Sequence, residues 1–278
     1  MKKFLLIPVA LATVLTSCQT EFNEVYKTSD WTYRYDYAKQ CYAEQKYTRS
    51  STLFGDMLNL MKGTDSGEEC LFLYGMSCYR NKDYESAADV FKKYQSTYPK
   101  GIYSEMSAFY VGESLYNSSP EARLDQTDTY TAMKAYQDFM DLYPFSSKKD
   151  EAQNRLYELQ DKLVQKELLS AKLYYNLGTY FGNCTSGGNN YEACIVTAQN
   201  ALKDYPYTKL REDFAVLIMK SKFELAEQSI EEKKIERYQD AEDECYGFIN
   251  EYPDSESRGT AEKYIARCKK VTENAPLD

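Results

Sequence analysis

The sequence predicts an all-α fold, a superhelical array of about five helix pairs with a C-terminal capping helix. Three observations carry this. First, one helical frame recurs: Tyr84, Ala87, Phe91 and Tyr94 stand at i, i+3, i+7 and i+10, one face of a helix. Thr129, Ala132, Tyr136 and Phe139 repeat it, as do Tyr191, Cys194, Ala198 and Ala201, and then Tyr238, Ala241, Cys245 and Phe248. Second, each copy closes on a Tyr-Pro pair ending at Pro99, Pro144, Pro206 or Pro253, and proline stops a helix because it lacks an N–H and clashes with the preceding turn. Third, Ala38 and Gly75 lie sixteen positions before Phe54 and Phe91, so a small residue marks the partner helix in the first two copies.

This pattern resembles the tetratricopeptide repeat (TPR), a helix pair with small residues, an aromatic and a closing Pro. The prolines are 45, 62 and 47 residues apart, so loops or helices are lengthened. A weaker first copy at Tyr47, Ser50 and Phe54 lacks the Pro.

Taken in order, residues 1–17 read as a signal segment: Lys2 and Lys3, then an apolar run from Phe4 to Leu15 too short to span a bilayer. Leu15-Thr16-Ser17-Cys18 resembles the bacterial lipobox, which implies lipidation at Cys18 and a mature chain beginning there. Residues 18–29 read as a lipidated polar tether. Residues 30–145 hold repeats one to three, with Asp30 as N-cap of the first helix, Tyr47–Met61 as the second and Gly63 as its stop. A polar insertion, Glu121 to Asp128, precedes the second helix of repeat three. Residues 146–271 hold one linking helix that joins repeat three to the first helix of repeat four, with Lys166 as the place where a break is open, then repeats four and five and a capping helix from Ser255 to Val271. The run Glu231-Glu232-Lys233-Lys234 is expected to join the helices of repeat five, and 272–278 to be a disordered tail.

Composition excludes several functions. The chain carries 34 Lys+Arg against 43 Asp+Glu, a net charge of −9, poorly suited to neutralising phosphates, so no nucleic-acid partner is expected. There is no His, which removes the commonest general base and metal ligand. No P-loop, dinucleotide fingerprint or zinc-type Cys pair is present. No catalytic residue, metal site or cofactor is expected. Tyr is abundant, at 28 residues, and most are assigned to the repeat core, where the ring is buried and the hydroxyl stays at an edge. Eight Cys leave seven after lipidation, so they cannot all pair within one chain. Cys184 and Cys194 flank a Gly-rich turn and could bridge.

The central run Arg155-Leu156, Leu159, Asp161, Leu163, Glu167-Leu168, Ala171-Lys172, Tyr174-Tyr175, Gly178 and Tyr180 resembles the corresponding segment of the BamD family. These are TPR lipoproteins of the bacterial β-barrel assembly machinery. The resemblance implies a non-enzymatic scaffold lipid-anchored to the outer membrane and facing the periplasm. It also implies two partners: the POTRA region of a BamA-like β-barrel protein, met by the C-terminal repeats, and unfolded outer membrane proteins, received by the N-terminal repeats. Trp31, Tyr33, Tyr35 and Tyr37 are the candidates for that substrate groove. The alternative reading is another periplasmic TPR lipoprotein, an adaptor in cell-envelope organisation.

Overall fold

The structure, a computed structural model, describes residues 21–180 and 189–273. Its helices are α1 (21–27), α2 (Trp31–Ala43), α3 (Tyr47–Met61), α4 (Gly67–Arg80), α5 (Tyr84–Thr97), α6 (Ser104–Ser118), α7 (Thr127–Leu142), α8 (Lys149–Leu177), α9 (Asn190–Asp204), α10 (Arg211–Glu227), α11 (Glu231–Glu251) and α12 (Arg258–Thr272). No strand occurs among the described residues. The chain divides into two compact units. The first holds α1–α7 and α8 up to Leu159; the second holds the rest of α8, α9–α12 and Glu121–Leu124.

Within the first unit the repeat is 37 residues long, because Ala38, Gly75 and Gly112 take one position in α2, α4 and α6. The small residue is obligatory there. A Cβ on Gly75 would stand 2.7 Å from the Phe91 ring, and one on Gly112 2.7 Å from the Tyr136 ring. Phe54, Phe91 and Tyr136 are fully buried by this close approach, each contributing roughly 1.5–3 kcal/mol of apolar burial.

The turns repeat as well. After α2, Gln45 (φ 61) and after α4, Lys82 (φ 62) take the left-handed conformation. The Lys46 N–H then reaches the Cys41 carbonyl at 2.8 Å, and the Asp83 N–H the Cys78 carbonyl at 3.0 Å, the Schellman ending of a helix. The Tyr-Pro turns match still more closely. Tyr98, Tyr143, Tyr205 and Tyr252 all have φ −127, with ψ of 63, 64, 65 and 67. Proline pushes the residue before it out of the helical region, which ends each helix at the same place. The carbonyl of each Tyr then accepts from the N–H three residues on, at 3.0 to 3.2 Å.

Asp30 caps α2 as expected, accepting from the N–H groups of Thr32 and Tyr33. Two expectations need correction, and one open point is closed. The stretch expected as a tether contains α1, whose Val25 is buried in the α2–α3 core because Phe22 and Val25 share the side of the helix facing it. The linking helix is unbroken at Lys166: α8 runs 29 residues, with Leu163, Val164 and Leu168 buried in succession. The Glu231–Lys234 run is no connector but the first turn of α11, where acidic side chains favour the positive helix end and Lys234 pairs with Glu231 at 2.8 Å. The expected tail beyond 273 lies outside the described residues.

In the second unit Val164, Leu168 and Ala171 pack with Cys194, Ala198 and Phe214. Cys245, Phe248 and Ile265 close the last pair against α12, the expected capping helix. Six described cysteines, Cys41, Cys70, Cys78, Cys194, Cys245 and Cys268, are buried and unbridged. Burial pushes each thiol above its ordinary value, to about 12 for Cys70 and Cys245 and about 11 for Cys78 and Cys268.

Candidate functional site

Four residues after each small residue of the first unit stands a tyrosine: Tyr42, Tyr79 and Tyr116. Each is partly exposed near the end of the first helix of its repeat, and each reaches toward the next repeat. Tyr42 has the Arg80 guanidinium of α4 beside its hydroxyl. Tyr79 donates to Glu113 of α6 at 3.3 Å and accepts from Asn117 at 3.4 Å. Tyr116 donates to Glu158 of α8, and the Arg155 guanidinium lies over its ring at 4.4 Å. Tyr110 fills the space between, 5.0 Å from the Tyr79 ring and 5.5 Å from Phe91. The result is a stripe of aromatic rings along α4 and α6, pinned at its polar tips.

Glu113 anchors the stripe. It is 5% exposed, and it accepts from Tyr136 at 2.6 Å, Tyr79 at 3.3 Å and the Arg155 Nε at 3.2 Å. A buried carboxylate needs such partners, because an unpaired charge in the interior is costly. Burial, then the hydrogen bond to Glu113, pushes the Tyr136 hydroxyl far above its ordinary value. Burial opposes the charge on Arg155, but the hydrogen bond to Glu158 and the Glu113 carboxylate more than offset it. Glu158 is held below the ordinary carboxylate range, first by the Tyr116 hydroxyl. Rigid rings with fixed hydroxyls offer contact area at low entropy cost, the chemistry of holding a chain.

The four tyrosine and tryptophan positions named from sequence separate. Trp31 (44%) and Tyr33 (51%) are exposed, whereas Tyr35 (4%) and Tyr37 (7%) are core. The reason is cover, not helical face: Trp31 and Tyr35, like Tyr33 and Tyr37, stand one turn apart, yet only Tyr35 and Tyr37 are packed into the core with α3. Tyr35 is the 37-residue equivalent of Phe72 and Phe109; it lies edge-on to Phe54 at 5.9 Å and donates to Glu69 of α4. Tyr42, Tyr79 and Tyr116 were equally legible, as a tyrosine at fixed distance after Ala38, Gly75 and Gly112. Cys18 and Cys184 lie outside the described residues, and Cys194 is a buried, unbridged thiol.

In the second unit a groove of about 800 Å³ runs beside α10, lined by Lys172, Asp213, Val216, Lys220, Tyr252 and Ser257 among others. Its walls carry both signs of charge, with Lys172 paired to Asp213 at 3.7 Å. No helix among the described residues is long and apolar enough to cross a membrane.

A family model described as YfiO, outer membrane lipoprotein, matches residues 27–186, which is more than half of the chain and includes α2–α8. No curated protein matches the chain.

Proposed function

Because the chain belongs to the YfiO family of outer membrane lipoproteins, the family of BamD, we propose that it is a non-enzymatic scaffold of the β-barrel assembly machinery. In this reading it is anchored through lipidated Cys18 and faces the periplasm. Its first unit receives unfolded outer membrane proteins as extended segments, and its second unit binds the POTRA region of a BamA-type barrel.

The observation that supports substrate holding is the tyrosine stripe. An unfolded barrel strand alternates apolar and polar side chains. A face of half-buried rings with hydroxyls and carboxylates at their edges suits both kinds. Trp31 and Tyr33 add exposed aromatic area on α2, while Tyr35 and Tyr37 have no surface to contribute. The groove beside α10, with paired and mixed charges, suits a folded partner with a polar rim.

Affinity purification of the lipidated protein from detergent-solubilised outer membrane, read by mass spectrometry, tests the proposal. A stoichiometric barrel protein with POTRA domains is the expected result. Recovery of a different envelope complex without that barrel would leave the lipoprotein family in place and remove the assembly function.

A further inference from the structure

The 37-residue register locates an unusual surface at the start of the first unit. Tyr33 of α2 is equivalent to Cys70 of α4 and Ser107 of α6. Both equivalents are fully buried; Cys70 lies against the Phe54 carbonyl of the preceding repeat. Tyr33 has no preceding repeat and is 51% exposed. What stands in that place is α1, seven residues long. It buries Val25, sets Phe22 under Arg49 at 5.4 Å and Tyr26 under Arg34 at 5.4 Å, and covers only part of the face. Exposed aromatics therefore surround it: Tyr26 at 41%, Trp31 at 44% and Tyr33. A terminal repeat ordinarily needs a polar outer face, and this one is aromatic instead.

Cys18 is three residues before Glu21, a reach of about 11 Å when fully extended. If Cys18 carries lipid, α1 cannot leave the bilayer surface. We infer that the end face of the first unit, α1 with the start of α2, rests on the lipid surface, with Tyr26, Trp31 and Tyr33 in the headgroup zone. Tyr and Trp favour that zone because the ring is apolar and the tip is polar. The charges nearby are Glu21, Glu24 and Asp30 against Lys27 and the Arg49 that lies over Phe22, while Arg34 is paired with Asp56. There is no basic excess, so the contact rests on the aromatics and requires no anionic lipid. The opposite ends of α2 and α4 fit less well: the turns that follow them, Glu44–Lys46 and Asn81–Asp83, are wholly polar.

The inference rests on the lipoprotein reading of Cys18, and the experiment separates the two. Trp31 is the chain's single tryptophan, so its emission reports one place. The full-length lipidated protein is reconstituted in phosphatidylcholine vesicles brominated near the top of the acyl chains. In a Trp31→Phe background, Tyr33→Trp adds a second reporter and Tyr157→Trp, on exposed α8 surface, a distant one. Trp31 and Tyr33→Trp are expected to lose at least about half of their emission to bromine, with Tyr157→Trp unchanged and the pattern insensitive to salt. Vesicle-bound protein whose three reporters respond alike overturns the inference alone. So does a concentration-dependent dimer that shields Trp31 from a soluble quencher in the absence of vesicles. Protein isolated from its own envelope whose Cys18 carries no acyl chain by mass spectrometry overturns the lipoprotein reading, and the inference with it.

Discussion

The two units hold their repeats together by different chemistry. In the first, elements are tied by tyrosine hydroxyls donating to carboxylates: Tyr35 to Glu69, Tyr94 to Glu68, Tyr79 and Tyr136 to Glu113, Tyr116 to Glu158. The second relies instead on ion pairs, which in the first unit are fewer (Arg34 to Asp56, Arg155 to Glu113): Arg211 to Glu251, Arg237 to Glu192 and Arg267 to Glu227 at partly exposed sites, and a largely buried Lys222 to both Asp240 and Glu244. A hydrogen-bonded hydroxyl is cheaper to bury than a guanidinium or ammonium, provided its carboxylate partner is itself well paired, as Glu113 is by three donors. Regular 37-residue spacing stacks the tyrosines against the next helix in the first unit. The second unit lacks that spacing and recruits long cationic side chains, most of them reaching in from partly exposed positions.

The contrast can be broken most severely at the small residues. Gly112→Leu drives a side chain into the Tyr136 ring and should destabilise the first unit by at least ~3 kcal/mol. Gly247→Ala in α11 meets nothing within 4 Å and should be neutral or stabilising by up to ~1 kcal/mol. Hydrogen exchange resolved by peptide would show lost protection in α6–α7 only for the first variant. Next in size is Glu113→Ala, which leaves Tyr136 unpaired in the interior and costs ~2–4 kcal/mol. Glu227→Ala removes a surface pair and costs under ~1 kcal/mol. Urea midpoints compare them, and equal losses would refute the distinction.

Alkaline pH sharpens it further. Burial, with the acidic neighbours next in importance, raises Tyr35, Tyr94 and Tyr136 well above 10.0 and Tyr79 to about 12. The unfolded chain ionises first, so stability is full below pH 10 and falls as pH rises through the folded values. Tyr238 and Tyr264, at about 12, give the second unit a smaller loss. Exchange protection above pH 10 should therefore drop in the first unit before the second. The smallest effect belongs to Glu224, whose carboxyl is raised by burial and then by Glu227. Its charge burdens the fold above that raised value and the burden lifts as pH falls through it. Glu224→Gln should stabilise the second unit at pH 7 by under ~0.5 kcal/mol, a gain that disappears in acid. Thermal melts at both pH values check this.

Much of the fold was legible because closing prolines and small residues act locally: Pro ends a helix wherever it stands, and Gly75 admits Phe91 whatever surrounds them. The site was less legible. Tyr33 and Tyr35 differ in exposure because of what covers them, and cover is set by a neighbouring repeat or its absence. Tyr35 faces α4; Tyr33 faces the place where no repeat precedes it. The same limit hid α1, whose burial depends on that vacant position rather than on its own polar-rich sequence. The charge run at Glu231 misled because like-signed residues mark a solvated face, which a helix end provides as readily as a loop.

The buried thiols have a use of their own. Raised above neutrality and shut inside the helix pairs, they resist alkylation while the fold is closed, and react when a pair opens. Cys41 reports on the first pair, Cys70 and Cys78 on the second, Cys194 on the fourth, Cys245 and Cys268 on the fifth. Timed exposure to a maleimide, read site by site, thus turns the unaltered chain into its own clock for local opening in every helix pair but the third, which holds no cysteine.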